Sequence, residues 1–266
     1  MSDLWQVVWL GVIEGITEFL PISSTGHLLI AEKLGLGARS DVFNVVIQAG
    51  AILAVTAIYW QRLWRLLLDW NDAENRDYLF KLMVAFVITG VGGLVISKMG
   101  FKLPEAITPV AWALILGGFW MIAAEQVAAR RPESARITWT VAVAVGAAQL
   151  VAAVFPGMSR SATTIFVAML LGTNNRAAAT EFAFLLGIPT MYAASGKLLY
   201  DALKHGGGAA GENWQDLGIA FVISTITAFV AVKWLLRYIQ THRFTPFAIY
   251  RIVVGAALLL FLPTGT

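Results

Sequence analysis

Two acidic residues four positions apart, Glu14 and Glu18, open the run Glu14-Gly15-Ile16-Thr17-Glu18-Phe19-Leu20-Pro21-Ile22-Ser23-Ser24-Thr25-Gly26-His27. On a helix such a pair shares one face, and its like charges repel. The surrounding stretch is apolar, and a charge at a helix centre in lipid costs about 2.5–3.5 kcal/mol. A divalent cation, an arginine or a proton must offset that cost. Magnesium and calcium take carboxylate oxygens and keep waters, which suits a phosphorylated substrate. The plainer reading puts both carboxylates in interfacial water, where they mark a helix end.

Ser23, Ser24 and Thr25 stand before the apolar run from His27 to Ala31. That is the signature of an N-cap, and a helix N-terminus with free N–H groups is also an anion site. His27 follows Ser24 by three residues, within reach of a base and hydroxyl pair. A second constellation is Pro156-Gly157-Met158-Ser159-Arg160-Ser161. Proline and glycine break the helix, and Ser159 and Ser161 can cap the next one. Arg160 carries a planar, permanent charge that matches phosphate oxygens bidentately. Inside an apolar region it needs a partner, and the plain candidate is Glu14 or Glu18 in a structural ion pair. Gln48, Glu181, Tyr250 and Arg251 are weaker signals, and Gln48 and Glu181 read as supporting or packing residues.

The elements that must hold these residues are set by composition. Of 266 residues, 58% are hydrophobic and only 13% charged, against about 25% charged in soluble domains. Such a chain cannot cover itself with polar surface, so lipid must be its solvent. No polar stretch is long enough for a separate soluble domain. Leu4–Ile13 lacks a basic leader and a cleavage site and reads as mature protein. Cysteine is absent, which excludes disulfides, thiolate metal sites and a thiol nucleophile. No basic run is long enough to track a nucleic acid backbone.

Spanning helices need about 20 mostly apolar residues. Val42–Trp60, Leu82–Ser97, Ala106–Ala124, Leu217–Val232 and Thr245–Leu262 meet or approach that length, and Phe182–Leu199 is a sixth that contains Pro189 and Lys197. Leu4–Leu20 with its following turn, and Ile137–Phe155 with Ser161–Leu171, are apolar but broken. Each reads as a hairpin that enters the membrane and turns back; a kinked spanning helix is the plainer reading. The chain also echoes itself. Pro21 and Ser24 match Pro156 and Ser159 at an offset of 135, Ala85–Thr89 matches Ala220–Ser224 at 135, and Thr108–Ala111 matches Thr245–Ala248 at 137. Three matches in order argue for duplicated halves of one membrane domain, approximately 1–132 and 133–266. An odd number of crossings per half inverts the second. The expected fold is therefore an all-α integral membrane protein with six transmembrane helices and two re-entrant helical hairpins in an inverted-topology repeat.

Glu14–His27, Pro156–Ser161, Glu181–Leu186 and Pro246–Arg251 together resemble the bacitracin-resistance type of undecaprenyl pyrophosphate phosphatase. These runs spread over nearly the whole chain. The resemblance implies a multi-pass bacterial inner-membrane enzyme that hydrolyses undecaprenyl pyrophosphate to undecaprenyl phosphate and recycles the lipid carrier of peptidoglycan synthesis, conferring bacitracin resistance. The family's glutamate pair falls on Glu14 and Glu18, its essential serine and histidine on Ser24 and His27, and its arginine on Arg160. The loops 61–81 and 202–216 look specific to this chain.

The expected site joins catalytic Ser24, His27, Glu14, Glu18 and Arg160. Arg160, Ser159, Ser161, Ser23 and Thr25 would bind the phosphates, and Glu14 and Glu18 would hold Mg2+ or Ca2+. The nucleophile is Ser24, His27 or water. The partners are a polyprenyl pyrophosphate lipid and membrane lipid, with no nucleic acid, and a homodimer is allowed for. A lipid phosphate transporter or flippase is the alternative class, because inverted repeats with broken helices build transporters. Loops expected on one side carry eleven lysines and arginines and the opposite loops five. Positive charge marks the cytoplasm, so both termini are expected in the periplasm.

Overall fold

The computed structural model describes residues 4–99, 106–132, 134–204 and 213–261, with the side chains of 202 and 203 excepted. Lys102, Leu262 and the centre of the 202–216 loop lie outside the described residues. Those residues form eleven α-helices and no strand: α1 Leu4–Thr17, α2 Ser24–Ala31, α3 Asp41–Ile58, α4 Trp60–Leu68, α5 Ala73–Lys98, α6 Ile107–Ala129, α7 Trp139–Val154, α8 Arg160–Leu171, α9 Arg176–Lys204, α10 Trp214–Thr241 and α11 Thr245–Phe261. Five of them, α3, α5, α6, α9 and α10, are long and apolar enough to cross a membrane. The remaining expected span, Thr245–Leu262, is α11, which has 17 described residues and falls among the shorter apolar helices.

Helix bounds outrun the apolar windows. α5 begins at Ala73, nine residues before Leu82, and α10 runs on to Thr241. Hydropathy marks only the lipid-facing length, whereas polar turns with good caps continue the helix into the headgroup region. Asp72 caps α5 by accepting from the Glu74 and Asn75 amides at 2.9 and 3.3 Å. Most of the expected 61–81 loop is therefore helical. Within it α4 is strongly two-faced: Leu66 is buried, while Trp60, Trp64, Leu67 and Leu68 are exposed. Tryptophan at the rim of an apolar body suits the membrane interface.

The two broken regions have closely similar backbones. α1 stops at Thr17 and α7 at Val154, each followed by a short irregular segment and a second short helix, α2 or α8. Ser23 caps α2 by accepting from the Gly26 amide at 3.3 Å, and Ser159 caps α8 by accepting from Ala162 at 3.3 Å. Both serines have positive φ, 77° and 67°, a conformation that costs a non-glycine residue about 1–3 kcal/mol and persists only where surroundings hold it. Sequence comparison pairs Ser24 with Ser159. The backbone instead pairs the caps Ser23 and Ser159, so that Ser24 and Arg160 are the first residues of their helices. Gly157, with φ 94°, lies so close to α6 that a Cβ there would stand 2.8 Å from the Val110 carbonyl oxygen.

Helix packing exchanges the two halves. α1 lies chiefly against α10, and α7 against α5; α3 and α9 touch across the middle, as do α6 and α11. At the centre the breaks are bound to each other. Ser161 donates its hydroxyl to the Leu20 carbonyl at 3.0 Å. Arg251 of α11 is fully buried and donates to the carbonyls of Gly157 and Met158 at 2.9 Å, Ala113 at 3.1 Å, and Leu114 and Pro21 at 3.4 Å. It forms no ion pair among the described residues.

Arg251 thus satisfies carbonyls of both breaks with one side chain. Arg251→Met fills most of the space but leaves those carbonyls without donors, at about 1–3 kcal/mol for a buried unsatisfied group. Thermal unfolding in detergent should move down by several degrees; an unchanged midpoint would show that the breaks hold themselves.

Candidate active site

α1 ends in a carboxylate cluster because Glu14 and Glu18 are helical neighbours. The Glu18 amide still donates to the Glu14 carbonyl at 3.0 Å, which extends the last turn past Thr17. Both side chains are buried, with 2% and 7% exposure. Glu18 has two partners, one from each break. Ser24 donates its hydroxyl to Oε2, and Arg160 donates Nη2 to Oε1 in an ion pair. Ser24 and Arg160, each the first residue of a short helix, therefore meet on one carboxylate. Arg160 bridges 142 residues of sequence to do so.

A cavity of about 520 Å³ opens beside this junction. Glu18, Ser23, Ser24, Thr25, Ser159 and Arg160 line it, together with Gln48, Thr89, Gln149, Thr190 and Lys197. Its apolar wall comes from one face of α5, including Phe86, Gly90, Gly93 and Leu94, and from α7 through Leu150, Ala152 and Ala153. Polar and apolar linings side by side suit an amphiphile with a charged head and a hydrocarbon tail. The N-termini of α2 and α8 both border the cavity, where unpaired N–H groups favour an anion.

The expected residues divide by position. Ser24, Glu18, Arg160, Ser23, Thr25 and Ser159 share the cavity wall. Glu14 stands one turn behind Glu18, its Oε2 buried with no hydrogen-bond partner among the described residues. Ser161 spends its hydroxyl on Leu20, 3.0 Å away, and Ser159 Oγ lies 3.1 Å from it. His27 is turned away from Ser24. Its Nδ1 lies 2.7 Å from the Ser23 carbonyl and its Nε2 2.7 Å from the Tyr250 hydroxyl. Because a carbonyl only accepts, Nδ1 carries a proton; on the neutral ring Nε2 then accepts from Tyr250. The imidazole stacks on the Tyr250 ring at 5.6 Å. His27 thereby holds the carbonyl of the strained Ser23, and the hydroxyl acceptor that the sequence suggested for it belongs to Glu18.

For a divalent cation, the donor set is two carboxylates. Among the described residues no cluster of three or more histidines and acids forms. The orphaned Glu14 oxygen beside Glu18 is the hard oxygen donor that magnesium or calcium takes, and magnesium commonly binds through one or two carboxylates with substrate phosphate and water completing its shell. The residues fit such an ion on those terms.

Gln149, Thr190, Thr89 and Lys197 were missed by sequence reasoning. Each sits inside a long apolar run without a motif, and only the shared cavity groups them. Glu181, read as a supporting residue, pairs with Arg62 at 3.0 Å. A further buried acid, Glu125, accepts from Arg176 at 2.8 Å and from the Phe244 amide at 3.0 Å, fixing the start of α11.

Comparison with known proteins finds similarity over nearly the whole chain. The family model described as Bacitracin resistance protein BacA matches residues 7–257. A protein of Rhizobium etli named undecaprenyl-diphosphatase is 69% identical over 263 residues, covering 99% of this chain and 98% of the relative. A protein of the same name from Xanthomonas oryzae pv. oryzae is 60% identical over 265 residues, covering 100% and 99%. With five helices of spanning length, this is a multi-pass membrane protein. At these identities and over this extent, the chain belongs to the bacitracin resistance protein BacA family.

Proposed function

We propose that the protein is an undecaprenyl-diphosphatase of the bacterial inner membrane, hydrolysing undecaprenyl pyrophosphate to undecaprenyl phosphate and inorganic phosphate. The observation that carries this reading is the convergence of the Ser24 hydroxyl and the Arg160 guanidinium on Glu18 in the wall of a half-apolar cavity. The names of relatives at 60–69% identity support it. Recycling of the peptidoglycan lipid carrier and bacitracin resistance follow from the same reaction, because it returns the carrier to its monophosphate form.

In the proposed reaction the diphosphate enters between the two breaks, where the α2 and α8 N-termini and Arg160 face its oxygens. Phosphoryl transfer is mostly positioning and charge stabilisation, so this small cast suffices. Ser24 Oγ bonds to the terminal phosphorus as the bond from that phosphorus to the bridging oxygen breaks. The hydroxyl proton passes to Glu18, and undecaprenyl phosphate leaves with the bridging oxygen. Water then cleaves the serine phosphate, releasing inorganic phosphate and restoring the hydroxyl. Ser23 and Thr25 border the head group, while Ser159 and Ser161 hold the second break in place beside it. His27, braced by Tyr250, keeps the Ser23 carbonyl, and with it the α2 N-terminus, in position. A divalent cation on Glu14 and Glu18 would neutralise diphosphate charge when bound.

A lipid phosphate flippase remains the second reading. The exchange of helices between halves supports inverted duplication about 1–132 and 133–266, with α11 as a sixth crossing and two re-entrant pairs. Ser24 donating to a carboxylate favours chemistry, since carriage requires no activated hydroxyl.

Three outcomes are expected. Purified protein in detergent should release phosphate from undecaprenyl pyrophosphate, with Ser24→Ala lowering turnover by roughly 10³-fold or more and Glu18→Gln by about 10²–10⁴-fold; full activity of Ser24→Ala would make water the nucleophile. Excess chelator should abolish turnover and magnesium or calcium restore it, whereas undiminished activity would leave Arg160 as the main counter-charge. A reporter fused to the C-terminus should be active in the periplasm, and cytoplasmic activity would overturn the proposed orientation.

A further inference from the structure

Counted back from the proline of each break, Glu14 and Gln149 occupy the same position, seven residues before Pro21 and Pro156 respectively. The parallel extends to their surroundings. Both are buried, at 2% and 3% exposure, and each keeps one polar atom without a partner among the described residues: Oε2 of Glu14 and Nε2 of Gln149. Gln149 lies in the wall of the cavity that Ser24 and Arg160 line. Across that wall Thr190 of α9 brings its hydroxyl 3.2 Å from Gln149 Oε1.

An unpartnered buried amide costs about 1–3 kcal/mol, and in a membrane no bulk water relieves it. Gln149 lines the cavity while its nitrogen is turned in and sealed from it, so a ligand reaches the N–H only when the carboxamide turns. Thr190 does not fix the carboxamide rigidly. Its single proton has three acceptors in range, Gln149 Oε1 at 3.2 Å and the Leu186 and Gly187 carbonyls at 3.0 Å. A hydroxyl accepts as readily as it donates, so Thr190 supports the amide in either orientation and the ligand selects one. An acceptor-only ligand selects the nitrogen. Phosphate oxygens are such acceptors, and Arg160 in the same cavity already calls for an anion.

We propose that Gln149 binds the diphosphate head group directly: its amide N–H donates to a phosphate oxygen, with Thr190 as the positioning residue that steadies the carboxamide. This rests on the diphosphatase reading above. The first half of the molecule then presents an acceptor, Glu14, and the second half a donor at the equivalent place. The donor discriminates by charge, because a carboxylate at position 149 would repel the substrate that the amide holds.

The test is steady-state hydrolysis of undecaprenyl pyrophosphate by the full chain in detergent, for wild type, Gln149→Leu, Gln149→Met, Gln149→Glu and Thr190→Val. Inhibition by a methylene-bridged diphosphonate lipid serves as an independent measure of head-group binding. Gln149→Leu and Gln149→Met should each lower kcat/KM about tenfold, the size of one hydrogen bond to a charged group, and weaken the inhibitor in proportion. Gln149→Glu should lower it about a hundredfold, and Thr190→Val should shift both measures the same way by less. If Gln149 only packs against Thr190, the Leu and Met variants melt at lower temperature yet keep wild-type KM, kcat and inhibition per folded molecule. That result overturns the proposal, as does a Gln149→Glu variant no worse than Gln149→Leu. An active wild type with unaffected variants sinks this inference alone; a wild type that releases no phosphate sinks the diphosphatase reading with it.

Discussion

A helix broken within a membrane leaves backbone carbonyls and amides with no water to meet them, and that constraint organises this molecule. Each break must find donors and acceptors inside the protein. Here one hydrogen bond joins the two breaks directly, and a third element, α11, supplies most of the other donors. Ser161 reaches the Leu20 carbonyl, and Arg251 gathers carbonyls from Pro21, Gly157 and Met158 together with two from α6. Arg251 can be wholly buried without a carboxylate because a guanidinium carries five N–H donors in a fixed fork. Its charge is spread over carbonyl dipoles, and its position in turn fixes where the breaks lie.

The reactive geometry follows from that fixation. Once the breaks abut, the first residues of α2 and α8 fall side by side, and these are Ser24 and Arg160. Glu18 takes one hydrogen bond from each. An isolated buried carboxylate or guanidinium would be costly, and the pair is favourable because the additional hydroxyl satisfies the remaining carboxylate oxygen. The same contact keeps Ser24 against a proton acceptor. The positive φ of Ser23 and Ser159 belongs to this arrangement: backbone strain at both caps turns the helix N-termini toward the cavity, and the surrounding hydrogen bonds hold it there.

In the proposed function the remainder of the fold shapes access for a lipid. α5 is the least buried of the spanning helices, and the cavity face of that helix carries Gly90 and Gly93, at which a Cβ would meet nothing within 4 Å. A groove of that kind is open enough for a hydrocarbon chain beside the proposed head-group site. At the opposite extreme, Gly15 lets α1 lie directly on α10, because any Cβ there would overlap Thr227. The tight seam carries the first break, while the open one borders the cavity.

The chain by itself determined its solvent, its helical class, the places where helices break, and the identities of Glu14, Glu18, Ser24, His27 and Arg160 as the residues to examine. Those features are local: apolar content, a proline or glycine beside serines, and charges too costly to leave unexplained in lipid. Partner choice was not local. That Glu18, and not His27, receives the Ser24 hydroxyl depends on how the turn from Glu18 to Ser23 folds back. His27 instead meets Tyr250, 223 residues away, and Arg160 crosses 142 residues to Glu18. Arg251 gave only a faint signal, and Gln149 none, because the first meets carbonyls of α6 and of both breaks and the second a cavity wall drawn from several helices. Spacing along one helix can say which side chains share a face; only the packing of distant helices decides what that face meets.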